Sequence, residues 1–114
     1  MKTTILINLQ YEAFHNWQGV EKALPDNPEI WFLKSRHRHI FHVKLEKLVT
    51  HSDRDVEIIL FKREVLNYLE STYGRVGELK SMSCEMLSEE LLKKFDCLTV
   101  EVLEDNENGA KVYK

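Results

Sequence analysis

Two histidines one residue apart, His37 and His39, open the stretch Ser35-Arg36-His37-Arg38-His39-Ile40-Phe41-His42-Val43-Lys44-Leu45. In an extended chain side chains alternate faces. His37, His39, Phe41, Val43 and Leu45 then share one face, and Arg38, Ile40, His42 and Lys44 the other. Two imidazoles followed on their own face by apolar residues stand at the mouth of a core. At that spacing their ring nitrogens can converge on one ion, and zinc accepts neutral imidazole nitrogen at about 2.0–2.1 Å. A third ligand must come from elsewhere, and His15 is the candidate. The competing reading is a pair of surface histidines on an edge strand, because His-x-His is a loose signal by itself.

A carboxylate is the second feature. Glu104 follows Val100 and Val102 on the apolar face of a strand, where a charge is costly unless paired or bound to a donor-rich partner. Either the strand has ended and Glu104 joins the turn Asp105-Asn106-Glu107-Asn108, or it is a fixed acceptor for a heterocycle with an amino group beside a ring N–H. Guanine and pterin both present that edge, and charge-assisted bidentate pairs of this kind are strong and directional. His51 and Asp53 form a third pairing, but they sit in a polar turn with no low-dielectric setting.

The elements that must position these groups follow from periodicity. Alternation from Thr3 to His15 reads as a long half-buried strand, with His15 on the parity of the apolar residues Ile5, Ile7 and Leu9. Asn16 to Lys34, with Pro25 and Pro28, reads as a long excursion with a short helical turn around Gly19 to Leu24. The histidine strand runs to about Thr50, and Asp55 to Leu60 is expected as its hairpin partner. The period then changes. Phe61 to Tyr73 is expected as an amphipathic helix ending near Gly74 and Gly77, and Ser83 to Phe95 as a second one with Ser83 as N-cap. Leu98 to Glu104 and Ala110 to Tyr113 close the chain as a hairpin. The order strand, strand, strand, helix, helix, strand, strand implies an α+β sheet with helices on one face.

The whole chain, 114 residues with 43% hydrophobic and 31% charged content, suits a single domain spanning 1–114. A net charge of −3 gives no global electrostatic case for nucleic acid. The apolar runs are too short to span a bilayer, and the opening residues do not read as a signal peptide. With Cys84 and Cys97 the only cysteines, no disulfide framework is needed and a cytoplasmic location is expected.

Taken together, these segments resemble one family. His37-Arg38-His39-Ile40-Phe41-His42-Val43 looks like the His-x-His-x-aromatic-x-Val strand of the 6-pyruvoyl-tetrahydropterin synthase and 6-carboxytetrahydropterin synthase family. Arg38 and Ile40 replace that strand's usual Gly and Asn. Ala13-Phe14-His15 resembles the end of the family's first strand, which supplies the third zinc histidine. Ile59-Leu60-Phe61, running on to Val65, resembles the entry to its first helix. Ser83-Cys84-Glu85-Met86-Leu87 is similar to the Thr-x-Glu-Asn-Leu start of its second helix, with Met86 in place of Asn. Val100-Glu101-Val102-Leu103-Glu104-Asp105, followed by Val112-Tyr113-Lys114, looks like its closing hairpin, whose Glu anchors the pterin ring. These matches cover nearly the whole chain in the same order.

The resemblance implies the T-fold (tunnelling fold), an antiparallel four-stranded sheet with two helices on one face. It also implies homo-oligomers, commonly trimers stacked into hexamers, with active sites between subunits. Zn²⁺ held by His15, His37 and His39 is implied, with Glu104, Ser83 and Cys84 at the pterin. The expected activity is a lyase of queuosine or biopterin type, eliminating triphosphate from a dihydroneopterin-triphosphate-like substrate with internal redox rearrangement.

The departures fall on proton transfer. Family enzymes carry a Cys, or in some branches a Glu, before the His-x-His pair. Here Asn27 to Arg36 has no cysteine, and Glu29 is the only stand-in. Their Asp-His pair after the first helix has no histidine counterpart between Tyr73 and Ser83. Cys84 offers a thiol at a helix N-terminus, where a thiolate is favoured, although a small buried side chain is the plainer role. Lys34, Arg36 and Arg38 are a diffuse cation supply for a triphosphate. The alternative function is a catalytically inactive binding module that captures a pterin or guanine-like base or builds an oligomer.

Overall fold

The computed structural model describes all residues, 1–114. Its elements are β1 (Thr3–His15), α1 (Val20–Ala23), a 3-10 helix (Pro28–Lys34), β2 (His37–Val49), α2 (Ile58–Tyr73), β3 (Gly77–Glu78), α3 (Cys84–Phe95), β4 (Thr99–Glu104) and β5 (Asn108–Tyr113). The sheet order is β3-β1-β2-β4-β5. The class is α+β as expected, with a five-stranded mixed sheet where four antiparallel strands were expected. The fifth strand is β3, two residues parallel to β1 with Ala13 opposite Gly77 and Phe14 opposite Glu78. It arises because the chain between α2 and α3 satisfies the free edge of β1: Leu79 N–H donates to Phe14 O at 2.9 Å and Asn16 N–H to Lys80 O at 2.8 Å.

The long antiparallel ribbon of β1 and β2 is the backbone of the fold, with register running from Thr3–Val49 to His15–His37. Its core face carries Ile7, Leu9, Tyr11 and Ala13 from β1 and Phe41, Val43 and Leu45 from β2, all buried. Both long helices lie on that face. Phe61, Val65 and Leu69 of α2 and Leu87, Leu91 and Phe95 of α3 join the same cluster, together with Val100 and Val102 of β4. Burying one such side chain contributes roughly 1.5–3 kcal/mol. The helices therefore fix which face of the ribbon is dry, and with it the face on which the histidines emerge. None of the helices is long and apolar enough to cross a membrane.

The expected hairpin partner at Asp55 to Leu60 is a helix start instead. Glu57 caps α2, accepting from Ile59 N–H and Leu60 N–H at 3.1 Å, and Asp55 closes the preceding turn by accepting from Thr50 N–H and Oγ1. Ile58, Ile59 and Leu60 become the first helical turn and are half or more exposed. Two local carboxylate caps here outweigh the strand propensity of the isoleucines. Ser83 does cap α3, with its Oγ accepting from Met86 N–H at 3.1 Å. The helical turn expected near Gly19 is α1, while the 3-10 helix between the prolines and the histidine strand carried no periodic signal.

Candidate metal centre

Strand register assembles the site. His15 pairs directly with His37 across β1 and β2, and Ala13 with His39, so the three histidines share the core face at one end of the ribbon. β4 enters from the other side with Glu104 opposite Phe41. Four polar side chains from three adjacent strands therefore meet above the buried ring of Phe41. The imidazoles pack edge to face, with centroids 4.6 Å apart for His15–His37, 5.2 Å for His15–His39 and 5.1 Å for His37–His39. One ligand nitrogen from each lies within 4.8 Å of the others.

Each ring is held by its Nδ1. His15 Nδ1 lies 3.0 Å from Met82 O, and His37 Nδ1 lies 2.7 Å from Ser35 O. His39 Nδ1 lies 2.7 Å from Asp105 Oδ2. Backbone carbonyls and an ionised carboxylate can only accept, so each Nδ1 carries a proton and Nε2 is the nitrogen left to each ring for a further partner. Outer-shell anchoring of this kind orients metal-binding histidines and raises their basicity. His39 Nε2 is buried and has no hydrogen-bond partner. An orphaned buried nitrogen costs about 1–3 kcal/mol unless something fills the space beside it. A cation does so, and three imidazoles from one face suit Zn²⁺ in type and number.

Glu104 touches the same centre. Its Oε2 is 3.0 Å from His15 Nε2 and its Oε1 is 3.6 Å from His39 Nε2. Burial disfavours the charged form of His15, but the bonds to Glu104 and Met82 outweigh it and raise its pKa. The hydrogen bond from His15, aided by the charges of His39 and His37, overcomes burial and holds the Glu104 carboxyl below its ordinary range. Glu104 is thus neither bare in solvent nor standing across a pocket from the histidines; it is part of their cluster.

A cleft of about 500 Å³ opens beside the cluster, lined among others by His15, His37, Ser83, Cys84, Glu85 and Glu104. That volume lies within the usual range for small-molecule sites. Ser83 and Cys84 thus lie in the wall of the cleft beside the histidines. The Cys84 thiol is not activated: burial, then the charges of Glu104 and Glu85, push it up to about 12, so the helix N-terminus does not yield a thiolate. Glu29 is elsewhere. It sits exposed on the 3-10 helix, accepts from Asn27 Nδ2 at 3.1 Å and does not line the cleft. Lys34, Arg36 and Arg38 each already face a carboxylate, from Glu21, Glu78 and Glu12 respectively. They form no free cationic surface.

Three supports of the site escaped the reading of residue types: the Ser35 and Met82 carbonyls and the Asp105 side chain. Carbonyls leave no sequence signal. Asp105 owes its position to a tight turn in which it and Asn106 both have positive φ, 53° and 59°, closed by Glu107 N–H to Glu104 O at 2.9 Å. Neither a scan against protein-family models nor a search of curated proteins returned a match to this chain.

Proposed function

We propose that this chain is a zinc protein of the tetrahydropterin-synthase type, built on a T-fold, that takes a pterin-like heterocycle into the cleft beside its three histidines. The observation that supports this most is that each ring is anchored through Nδ1 and that one ligand nitrogen from each lies within 4.8 Å of the others, beside a cleft of ligand size. Zinc held there by His15, His37 and His39 would supply Lewis-acid polarisation of an oxygen on the bound ligand. Glu104 would accept the amino and ring N–H edge of the heterocycle, with Ser83 and Cys84 along the cleft wall. A homo-oligomer, a trimer or stacked hexamer, fits the exposed edge strand β5, because closure of sheets removes such edges.

The second reading, a binding module without turnover, has its own support. Glu29 lies outside the cleft, Cys84 is held as a thiol, and the nearby cations are already paired. Those are the groups a triphosphate elimination would call on. Zinc content by elemental analysis, oligomer mass, and turnover of dihydroneopterin triphosphate by zinc-loaded protein test both. Zinc near one per chain with product supports the synthase, and zinc with ligand binding but no product supports the module. Protein that takes up no zinc ends both.

A further inference from the structure

Glu104 is placed to do more than grip a ligand. Ligand atoms bound at about 2.0–2.1 Å to a tetrahedral ion lie about 3.3 Å from one another. The two Glu104 oxygens lie 3.0 Å from His15 Nε2 and 3.6 Å from His39 Nε2, on either side of that value. One carboxylate oxygen therefore stands at about ligand spacing from His15 and the other at about that spacing from His39, while the mutually close set of ligand atoms is that of the three histidines.

Glu104 is only 31% exposed, so its carboxylate is held beside the rings rather than released to solvent. Its register opposite Phe41 on β4 sets its Cα beside the histidine end of β2.

We infer that Glu104 is the fourth protein ligand of a His15–His37–His39–Glu104 centre, closing it when no small molecule is bound. This rests on the metal reading above but not on any pterin chemistry. The same carboxylate cannot hold the ion and a heterocycle edge with the same oxygens, so ligand entry has to displace it. Cys84 stays outside the coordination sphere.

The test uses the full chain loaded with Co²⁺ as a spectroscopic substitute for zinc, with Zn²⁺ affinity measured by competition against a chromophoric chelator. Wild type is expected to give an intense four-coordinate visible spectrum that does not respond to added azide and shows no thiolate charge-transfer band. Glu104→Gln is expected to respond to azide and to lose more than about 100-fold in zinc affinity, beyond the 10–100-fold typical of an outer-shell partner. Cys84→Ser is expected to match wild type. An azide-sensitive wild-type spectrum, a thiolate band, or a loss of 100-fold or less in Glu104→Gln overturns the assignment. The wild-type azide measurement decides even if the variant fails to fold. Wild type that binds neither metal overturns the metal reading itself, a separate and recognisable result.

Discussion

Asp105 ties the turn after β4 to His39 through both carboxylate oxygens: Oδ2 accepts from the ring at 2.7 Å, and Oδ1 accepts from the next backbone N–H, that of Ile40, at 2.9 Å. Asp105 N–H returns a bond to Ile40 O at 2.8 Å. His39 is thereby fixed in position and in tautomer. Its hydrogen bond and the Ile40 N–H hold the Asp105 carboxyl below its usual range.

Asp105→Asn is the informative change there. The amide oxygen can still accept from Ile40, but the amide N–H₂ would then face His39 Nδ1 and donate to it. The ring proton would move to Nε2, where it blocks a metal. A loss of about 10–100-fold in zinc affinity is expected, with folding nearly intact. Chelator competition and circular dichroism measure the two. Unchanged affinity would show that Asp105 does not set the tautomer.

Metal removal should destabilise the protein. An ion that binds only the folded state adds RT ln(1 + [L]/Kd), about 2.7 kcal/mol when free metal is 100 times Kd. Thermal melts with zinc and with excess chelator should therefore differ by several degrees. His15→Ala should abolish that difference, because it removes one of the three histidine ligands. A chelator effect that persists in His15→Ala would place the ion elsewhere.

The N-terminus of α2 predicts the acid limb of stability. The bonds from Ile59 N–H and Leu60 N–H to Glu57 hold that carboxyl below its ordinary value in the folded state. The contribution is therefore fully present above the unfolded pKa, near 4.3, and is lost as pH falls through the lower folded value. Glu57→Ala should be less stable than wild type at neutral pH, and the gap should shrink as the solution is acidified. Urea melts across that range provide the measurement; a gap independent of pH would mean the cap acts without its charge.

Much of this site was legible because register is arithmetic. The parity of His15 within β1 and of His37 and His39 within β2 puts three rings on the core face, and the alternation through Val100 and Val102 carries Glu104 to the same side. What misled was local chemistry competing with propensity. Ile58-Ile59-Leu60 has strand composition, yet two carboxylates upstream turn it into a helix start. What could not be seen was anything dependent on backbone carbonyls or on a turn: the anchors of His15 and His37, the reach of Asp105, and β3, which is a response to an open strand edge.

The hairpin of β4 and β5 offers the sharpest separation of site from scaffold. A Cβ at Gly109 would lie 1.8 Å from the Val102 carbonyl oxygen, a distance no small adjustment relieves. Gly109→Ala must push β5 away from β4, and the turn carrying Glu104 and Asp105 moves with it. Ser83→Ala instead removes the α3 cap, at a cost of about 1 kcal/mol, and leaves that turn alone. Gly109→Ala is therefore expected to lose zinc affinity out of proportion to its loss of stability, whereas Ser83→Ala should lose stability with affinity nearly kept. Melting temperature and chelator competition on the two variants provide the comparison. Equal affinity in both would mean that the three histidines hold the ion without help from the end of β4.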